Sequence, residues 1–341
     1  MKFTGLLLVF ILFLFACQTK KCEYVKISGF AQGTTYHITY ENSTQKDYSQ
    51  AIDSILKAFD KSCSMYDSTS IISRINNNDP TVEADDWFID VFKKSAEVSA
   101  ISGGALDITV GPVVRAWGFG TAPIAKHDKA YIDRLLQYVG MDKVRLEGLK
   151  VIKKYPGVSL DVNAVAQGYS VDVVSKFFEE KGIKNYLVEI GGEVRCKGTN
   201  AKNNRWHVGI DKPTDEDIAP GGQLQAIIEL NNQSLTTAGN YRKFFVENGV
   251  KYGHTIDPKT GFPAKNTLLS ATVICDDAVT ADAWDTAFMV LGLEKSKELL
   301  KKLPGIEVYF IYSNPQGEYE VYFSKGLKKM IIEQEKSSGQ M

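Results

Sequence analysis

Apolar and polar positions alternate from Tyr24 to Tyr40 and break at Gly29 to Gly33, which predicts two short strands joined through the tight turn in QGTTY. The period then changes. Ala51, Ile52, Ile55, Leu56 and Phe59 share one helical face, so Gln50 to Lys61 forms an amphipathic helix. In CSMYDSTSIISRIN a polar loop, Tyr66 to Ser70, leads into an apolar stripe that Ser68, Thr69 or Ser70 can cap. Asp85 or Asp86 opens a helix carrying Trp87, Phe88, Val91, Phe92 and Ala96, and Gly103 with Gly104 closes it. Asp128 starts another through Ile132, Leu135 and Leu136, ending at Gly140. Val158 to Asp161 reads as a buried strand and Asn163 to Lys181 as a helix with Val165, Val171, Val174, Phe177 and Phe178 inward.

Further strands are expected over Tyr186 to Ile190, Trp206 to Asp211, Leu224 to Leu230, Leu269 to Cys275, Glu307 to Tyr312 and Tyr319 to Phe323. SLTTAGNYRKFF supplies small and hydroxylated residues ahead of a hairpin, YRKFFVENGVKYGHTIDPKTGFP, that turns at Asn248 and Gly249. Its second arm leaves the sheet carrying His254 and Asp257. Lys325 to Met341 reads as a short helix and a frayed polar tail.

Composition narrows the class. A formal net charge of -1 over 341 residues, without a basic run, argues against a nucleic-acid partner. After Lys2 an apolar run, Leu6 to Ala16, is long enough for a signal-peptide core and too short to cross a bilayer. It ends in Leu14, Phe15, Ala16, Cys17, an order that resembles the bacterial lipobox and implies cleavage before Cys17 with lipid on that cysteine. An ordinary signal peptide with an unrelated cysteine is the other reading. The expected organisation is a lipoprotein signal peptide over 1–16, the lipidated cysteine and tether over 17–23, a single domain of two intimate subdomains over 24–330, and a polar tail over 331–341. Its expected location is a bacterial membrane, with the soluble body facing the periplasm. Cys22, Cys63, Cys196 and Cys275 are widely separated with no CxxC pair, so buried free thiols are expected rather than zinc or disulfides.

Candidate chemistry gathers in four places. Asp161 is expected at a strand's carboxyl end, with the amides of Ala164 to Gln167 at a helix start, a geometry that favours anions. Glycine pairs in SGGALD and GGEVRCKG let backbone approach a ligand, and Asp107 either meets that ligand or caps the next helix. In TADAWDTAFMVLG, Asp282 and Thr286 stand one helical turn apart; their oxygens suit Mg²⁺, or they are a first-turn charge and a filler. His254 can accept a proton near neutral pH where a strand becomes a loop, or it is part of a solvated turn. No GxGxxG follows a strand, and GxxxxGK[ST] and GxSxG are absent, which excludes those dinucleotide, P-loop and serine-hydrolase sites by motif.

Taken together and in order, QGTTY, MYDSTSIISRIN, GGALDITVGP with WGFG, LDVNAVAQGYSVD, YLVEIGGEVRCKG, TTAGNYRKFF, HTIDPKTGFP and TADAWDTAFMVLG resemble the FAD:protein FMN transferases, the ApbE or flavin-transferase family. The resemblance implies an α+β, T-fold-related architecture of mixed, mainly antiparallel sheets flanked by helices, with the active site between two subdomains. It also implies a Mg²⁺-dependent reaction in which FAD is the substrate. FMN passes to a threonine or serine of an exported flavoprotein or a membrane redox subunit, and AMP is released. By position the metal ligands fall on Asp282, Thr286 and a backbone oxygen at Ala164. Flavin and adenine contacts fall on Gln32, Tyr66, Ala105, Leu106, Asp107, Asp161 and Gln167. His254 falls on the histidine beside the transferred phosphate, as the catalytic base, and Asp257 supports its loop. Gln167 stands where relatives often carry lysine or glutamate, and Ala238 where they often carry serine. A Mg²⁺-dependent FAD pyrophosphatase and a non-catalytic FAD-binding lipoprotein are the alternative functions.

Overall fold

The computed structural model describes residues 23–118, 128–213, 221–240, 244–247, 250–253 and 255–334. β1 (Tyr24–Ala31) and β2 (Thr34–Glu41) pair antiparallel, with Tyr24 opposite Glu41. Their turn is only Gln32 and Gly33, so Gly29 lies inside the strand and not in the expected break. A Cβ at Gly29 would stand 2.5 Å from the Tyr36 hydroxyl, and that crowding explains a glycine in mid-strand.

α1 (Ser49–Cys63) buries Ile52, Leu56 and Phe59. α2 (Ile71–Asn76) is capped by Ser70, whose Oγ accepts the Ser73 N–H at 3.1 Å. α3 (Asp86–Ser102) is capped by Asp85, which accepts the Phe88 N–H at 2.8 Å, and it ends at left-handed Gly103. α4 (Gly111–Ala116) follows Asp107 but is not capped by it; its N-cap is Val110. α5 (Lys129–Leu136) begins at Asp128 as expected and stops short of Gly140, which instead opens a single 3₁₀ turn.

The hairpin of β3 (Val144–Glu147) and β4 (Lys150–Lys153) has strands too short and too charged to show a period. Val158 to Asp161 makes no strand. It contributes one isolated parallel bridge, Ser159 to Val110, because the backbone of Leu160 and Asp161 is bonded instead by the Asn76 side chain and the Ile108 carbonyl. α6 (Asn163–Glu180) follows directly.

The rest of the chain is mostly strand: β5 (Tyr186–Ile190), β6 (Glu193–Lys197), β7 (Trp206–Asp211), β8 (Leu224–Leu230) and β9 (Ser234–Gly239). β10 (Phe244–Glu247) and β11 (Val250–Gly253) form the expected hairpin, although Tyr241, Asn248, Gly249 and His254 lie outside the described residues. Then come β12 (Leu268–Cys275), α7 (Ala278–Leu291), α8 (Leu293–Leu300), β13 (Glu307–Ser313), β14 (Tyr319–Phe323) and β15 (Ile331–Gln334). β15 corrects the tail expected from 331: Ile331 pairs opposite Ile228 of β8 and completes a sheet.

Among the described residues, eight strands form one sheet in the order β1-β2-β5-β6-β9-β12-β13-β14, every neighbouring pair antiparallel. A second sheet, β15-β8-β7, covers one face by setting Trp206, Ile228 and Leu230 on Leu235, Ile274 and Tyr309. Helices cover the other face, so the chain is α+β as expected. α6 sets Val171, Val174 and Phe178 on Ile38 and Val188; α7 sets Ala283, Ala287 and Phe288 on Ala271, Val273 and Phe310. Burial of a large side chain such as Phe178 or Phe288 contributes about 1.5–3 kcal/mol and fixes both helices on the sheet. Cys63, Cys196 and Cys275 are buried free thiols, each pushed up to about 12 by burial; Cys22 lies outside the described residues.

Candidate active site

α6 and α7 run antiparallel across the helical layer. Gly168 of α6 donates its N–H to Oδ2 of Asp282 on α7 at 2.8 Å, and one turn later Asp172 accepts the N–H groups of Ala278 and Val279, one turn earlier on α7. A Cβ on Gly168 would stand 2.4 Å from the Ala278 carbonyl oxygen and 2.6 Å from Asp282 Cβ, so the missing side chain sets how closely the helices approach. The same register brings Ala164, one turn before Gly168, level with Thr286, one turn after Asp282. The register thus sets the three residues that sequence resemblance put forward as metal ligands along one stretch of the helix pair, beside the start of α6.

Charge accumulates beside them. Asp282 and Asp285 are buried, and neither oxygen of Asp285 has a hydrogen-bond partner, nor has Oε2 of Glu193 on β6. Burial pushes the Asp282 carboxyl up to about 7, opposed by the Gly168 N–H and reinforced by the charge of Asp172. Burial also raises Glu193 and Asp285 well above the usual carboxylate range, and the nearby Asp282 adds to both; Thr236 and Thr286 partly offset the effect at Asp285. Buried acids in this state require protons or a cation. Among the described residues no three His, Cys, Asp or Glu side chains form a complete metal cage. The donor set fits Mg²⁺ nevertheless, because that ion takes one or two carboxylates and fills its shell with other oxygens.

Loops gather at the start of α6. The Asn76 side chain bonds Leu160 in both directions, accepting its N–H at 2.7 Å and donating to its carbonyl at 2.9 Å, and Asp161 N–H donates to the Ile108 carbonyl at 2.6 Å. The SIISRIN helix, the SGGALD loop and the LDVNA junction are thus tied together. Asp107 is buried and works inside its loop: Oδ1 accepts the N–H and hydroxyl of Thr109, and Oδ2 the N–H of Met141. Burial raises its carboxyl, opposed by the Thr109 bonds. Asp161 accepts the Asn163 N–H at 3.0 Å; burial raises it, with that bond and Arg115 acting the other way. The N-cap of α6 is Val162, which supplies no side-chain acceptor; its carbonyl takes the N–H groups of Val165 and Ala166. Of the amides expected to be open there those two are taken, and the helix dipole is what favours an anion at this end.

Gln167 donates to the Ile190 carbonyl at 3.1 Å, and Gln32 accepts the Ser170 hydroxyl at 3.1 Å, so both amides are fixed beside the glycine turn after β5. Gln32 holds a φ of 55°, and its buried Nε2 has no partner. That donor is free to meet an acceptor brought by a ligand. Tyr66 is 67% exposed.

The segment after His254 is firmly seated. Thr255 donates to the Asn240 side chain, Asp257 accepts the Lys259 N–H at 2.9 Å, and Trp117 donates its ring N–H to Gly261 at 2.7 Å while meeting Phe262 edge-on. Asp257 therefore builds the turn that follows. A methyl at Gly104 would lie 3.9 Å from Lys259, so the SGGALD loop and this turn are neighbours. His254 itself, Cys17 and the leader lie outside the described residues. Sequence reasoning missed Asn76, Asp172, Glu193 and Asp285. Only Asp285 left a signal, a charge in the apolar run AWDTAF.

The fold matches solved flavin transferases. The flavin transferase ApbE from Vibrio cholerae superposes with a TM-score of 0.81 at 32% identity, covering 91% of this chain and 99% of that one. The ApbE protein from Thermotoga maritima gives a TM-score of 0.79 at 27% identity over 91% of this chain and 100% of its own. The ApbE family model matches residues 32–310, and the chain belongs to that family. A relative from Haemophilus influenzae, an FAD:protein FMN transferase, is 35% identical over 92% of this chain and 93% of its own length. One from Vibrio cholerae with the same name is 34% identical over 94% and 96%.

Proposed function

We propose that the protein is a Mg²⁺-dependent FAD:protein FMN transferase acting on a threonine or serine of exported or membrane redox proteins. The observation that carries this reading is the Gly168 to Asp282 contact, which sets an anion-favouring helix start beside buried, under-satisfied acids within a chain of this family. Asp282, Thr286 and the Ala164 carbonyl would hold the cation. When bound, Mg²⁺ neutralises charge on the pyrophosphate oxygens.

The chain's own groups do the rest. Gln32, Tyr66, Gln167 and the backbone of Ala105 to Asp107 hold the dinucleotide, and Asp161 orders the start of α6. The acceptor hydroxyl oxygen bonds to the phosphorus of the FMN half, the bond from that phosphorus to the bridging oxygen breaks, and AMP leaves with the electron pair. His254 takes the hydroxyl proton, since its ordinary pKa near 6.5 suits neutral pH, and Asp257 steadies the turn that follows. Lipid on Cys17 would keep the body at the membrane, facing the periplasm.

Incubation with FAD, Mg²⁺ and a candidate acceptor domain tests the reading. Flavin fluorescence on the acceptor in a denaturing gel, with AMP released, is expected. AMP and free FMN without labelled protein would make the enzyme a pyrophosphatase instead.

A further inference from the structure

The first turn of any helix leaves four N–H groups without partners inside the helix. In α7 those of its first three residues, Ala278 to Thr280, are all taken by side chains. Asp277, the N-cap, takes the Thr280 N–H on its side chain at 2.9 Å. The other two, from Ala278 and Val279, go to Oδ1 and Oδ2 of Asp172 at 3.0 and 2.8 Å. Asp277 belongs to α7 and would move with it. Asp172 belongs to α6, so its bonds locate α7 relative to α6.

Arg195 of β6 completes the arrangement, donating Nη1–H to Oδ1 of Asp172 at 2.5 Å. The pair is largely shielded, with 11% of the Asp172 side chain and 25% of Arg195 exposed, so the carboxylate has little freedom to turn toward water. Asp172 lies one turn from Gly168, and Ala278 one turn from Asp282. The two contacts are rungs of one ladder, one helical turn apart on both helices.

We propose that Asp172, held by Arg195, is a positioning residue for the cation: it fixes the first turn of α7 on α6 and so places the Asp282 carboxylate. The inference rests on the reading that Asp282 is a cation ligand. Changing Asp172 to Asn puts an NH₂ where an oxygen accepted, so three donors face a single remaining acceptor and one rung is lost.

The test uses the full chain and Mn²⁺ alone as probe, followed by electron paramagnetic resonance, with FAD affinity measured separately in chelator by flavin fluorescence. Asp172→Asn is expected to weaken Mn²⁺ binding about 10–100-fold, as loss of a residue that orients a metal ligand does, and to leave FAD affinity unchanged. Arg195→Lys, which keeps the positive charge, is expected to retain most of the affinity. Wild-type Mn²⁺ affinity in Asp172→Asn, with binding lost in Asp282→Ala, overturns the positioning role alone. Wild-type affinity in Asp282→Ala overturns the cation reading and this inference with it. If Asp172→Asn fails to fold, Asp172→Glu keeps the charge but shifts it by one methylene; the same selective loss is expected there, and wild-type affinity overturns the role.

Discussion

Gly168 and Asp282 are joined by one hydrogen bond of 2.8 Å from a backbone N–H to a carboxylate oxygen, and the contact leaves no room for a side chain on α6 at that point. Gly168→Ala should therefore force α6 and α7 apart. The expected cost is about 1–3 kcal/mol from overpacking, seen as a lower urea midpoint, together with loss of FMN transfer. An unchanged midpoint and unchanged transfer would mean the helices tolerate a wider spacing.

The buried acids give stability a pH dependence. Folded Asp282 keeps its proton up to about 7, whereas the unfolded chain releases it near the ordinary aspartate value of 3.8. Between those values the folded state binds more protons, so the metal-free protein loses stability as pH rises through that window. The raised carboxyls of Glu193 and Asp285 act in the same direction. Melting temperatures in chelator should fall from about pH 5.5 to about pH 8, and Mg²⁺ should raise them more at the higher pH, where fewer protons compete. An equal rise at both pH values would count against a cation at these acids.

His254→Ala should leave FAD affinity intact and slow FMN transfer about 10²–10⁴-fold, the usual contribution of a general base. Parallel assays of flavin quenching and AMP release separate the two effects. Equal transfer rates would remove His254 from the mechanism.

Asn76 makes two hydrogen bonds to the backbone of Leu160, at 2.7 and 2.9 Å. Asn76→Ala leaves that N–H and carbonyl unpaired beside the start of α6, so a loss of about 1–3 kcal/mol is expected. FAD binding should weaken as well, because Leu160 leads into the junction at Asp161. Calorimetric melting and an FAD titration check the pair of effects.

These cases also separate what the sequence makes legible from what it does not. Period-two and helical patterns located most strands and helices, and the caps Ser70, Asp85 and Asp128 marked their starts because one side chain bonds its own first turn. Val158 to Asp161 was misread as a strand because burial makes any short apolar run look alike; only Asn76 and Ile108, distant in sequence, decide where its backbone bonds go. β9 was hidden by its threonines and small residues. In the site, Asp282 and Thr286 were visible as a one-turn pair, while Asp172, Glu193 and Asp285 matter through contacts between elements that spacing along the chain cannot display.

The most direct measurement is a Mg²⁺ titration of acceptor labelling with FAD, run on the wild-type chain and on Asp282→Ala. Labelling should rise to saturation with Mg²⁺ in the wild type and stay at background in the variant at every concentration. A variant that labels with the wild-type Mg²⁺ dependence would contradict the assignment of the cation to α7.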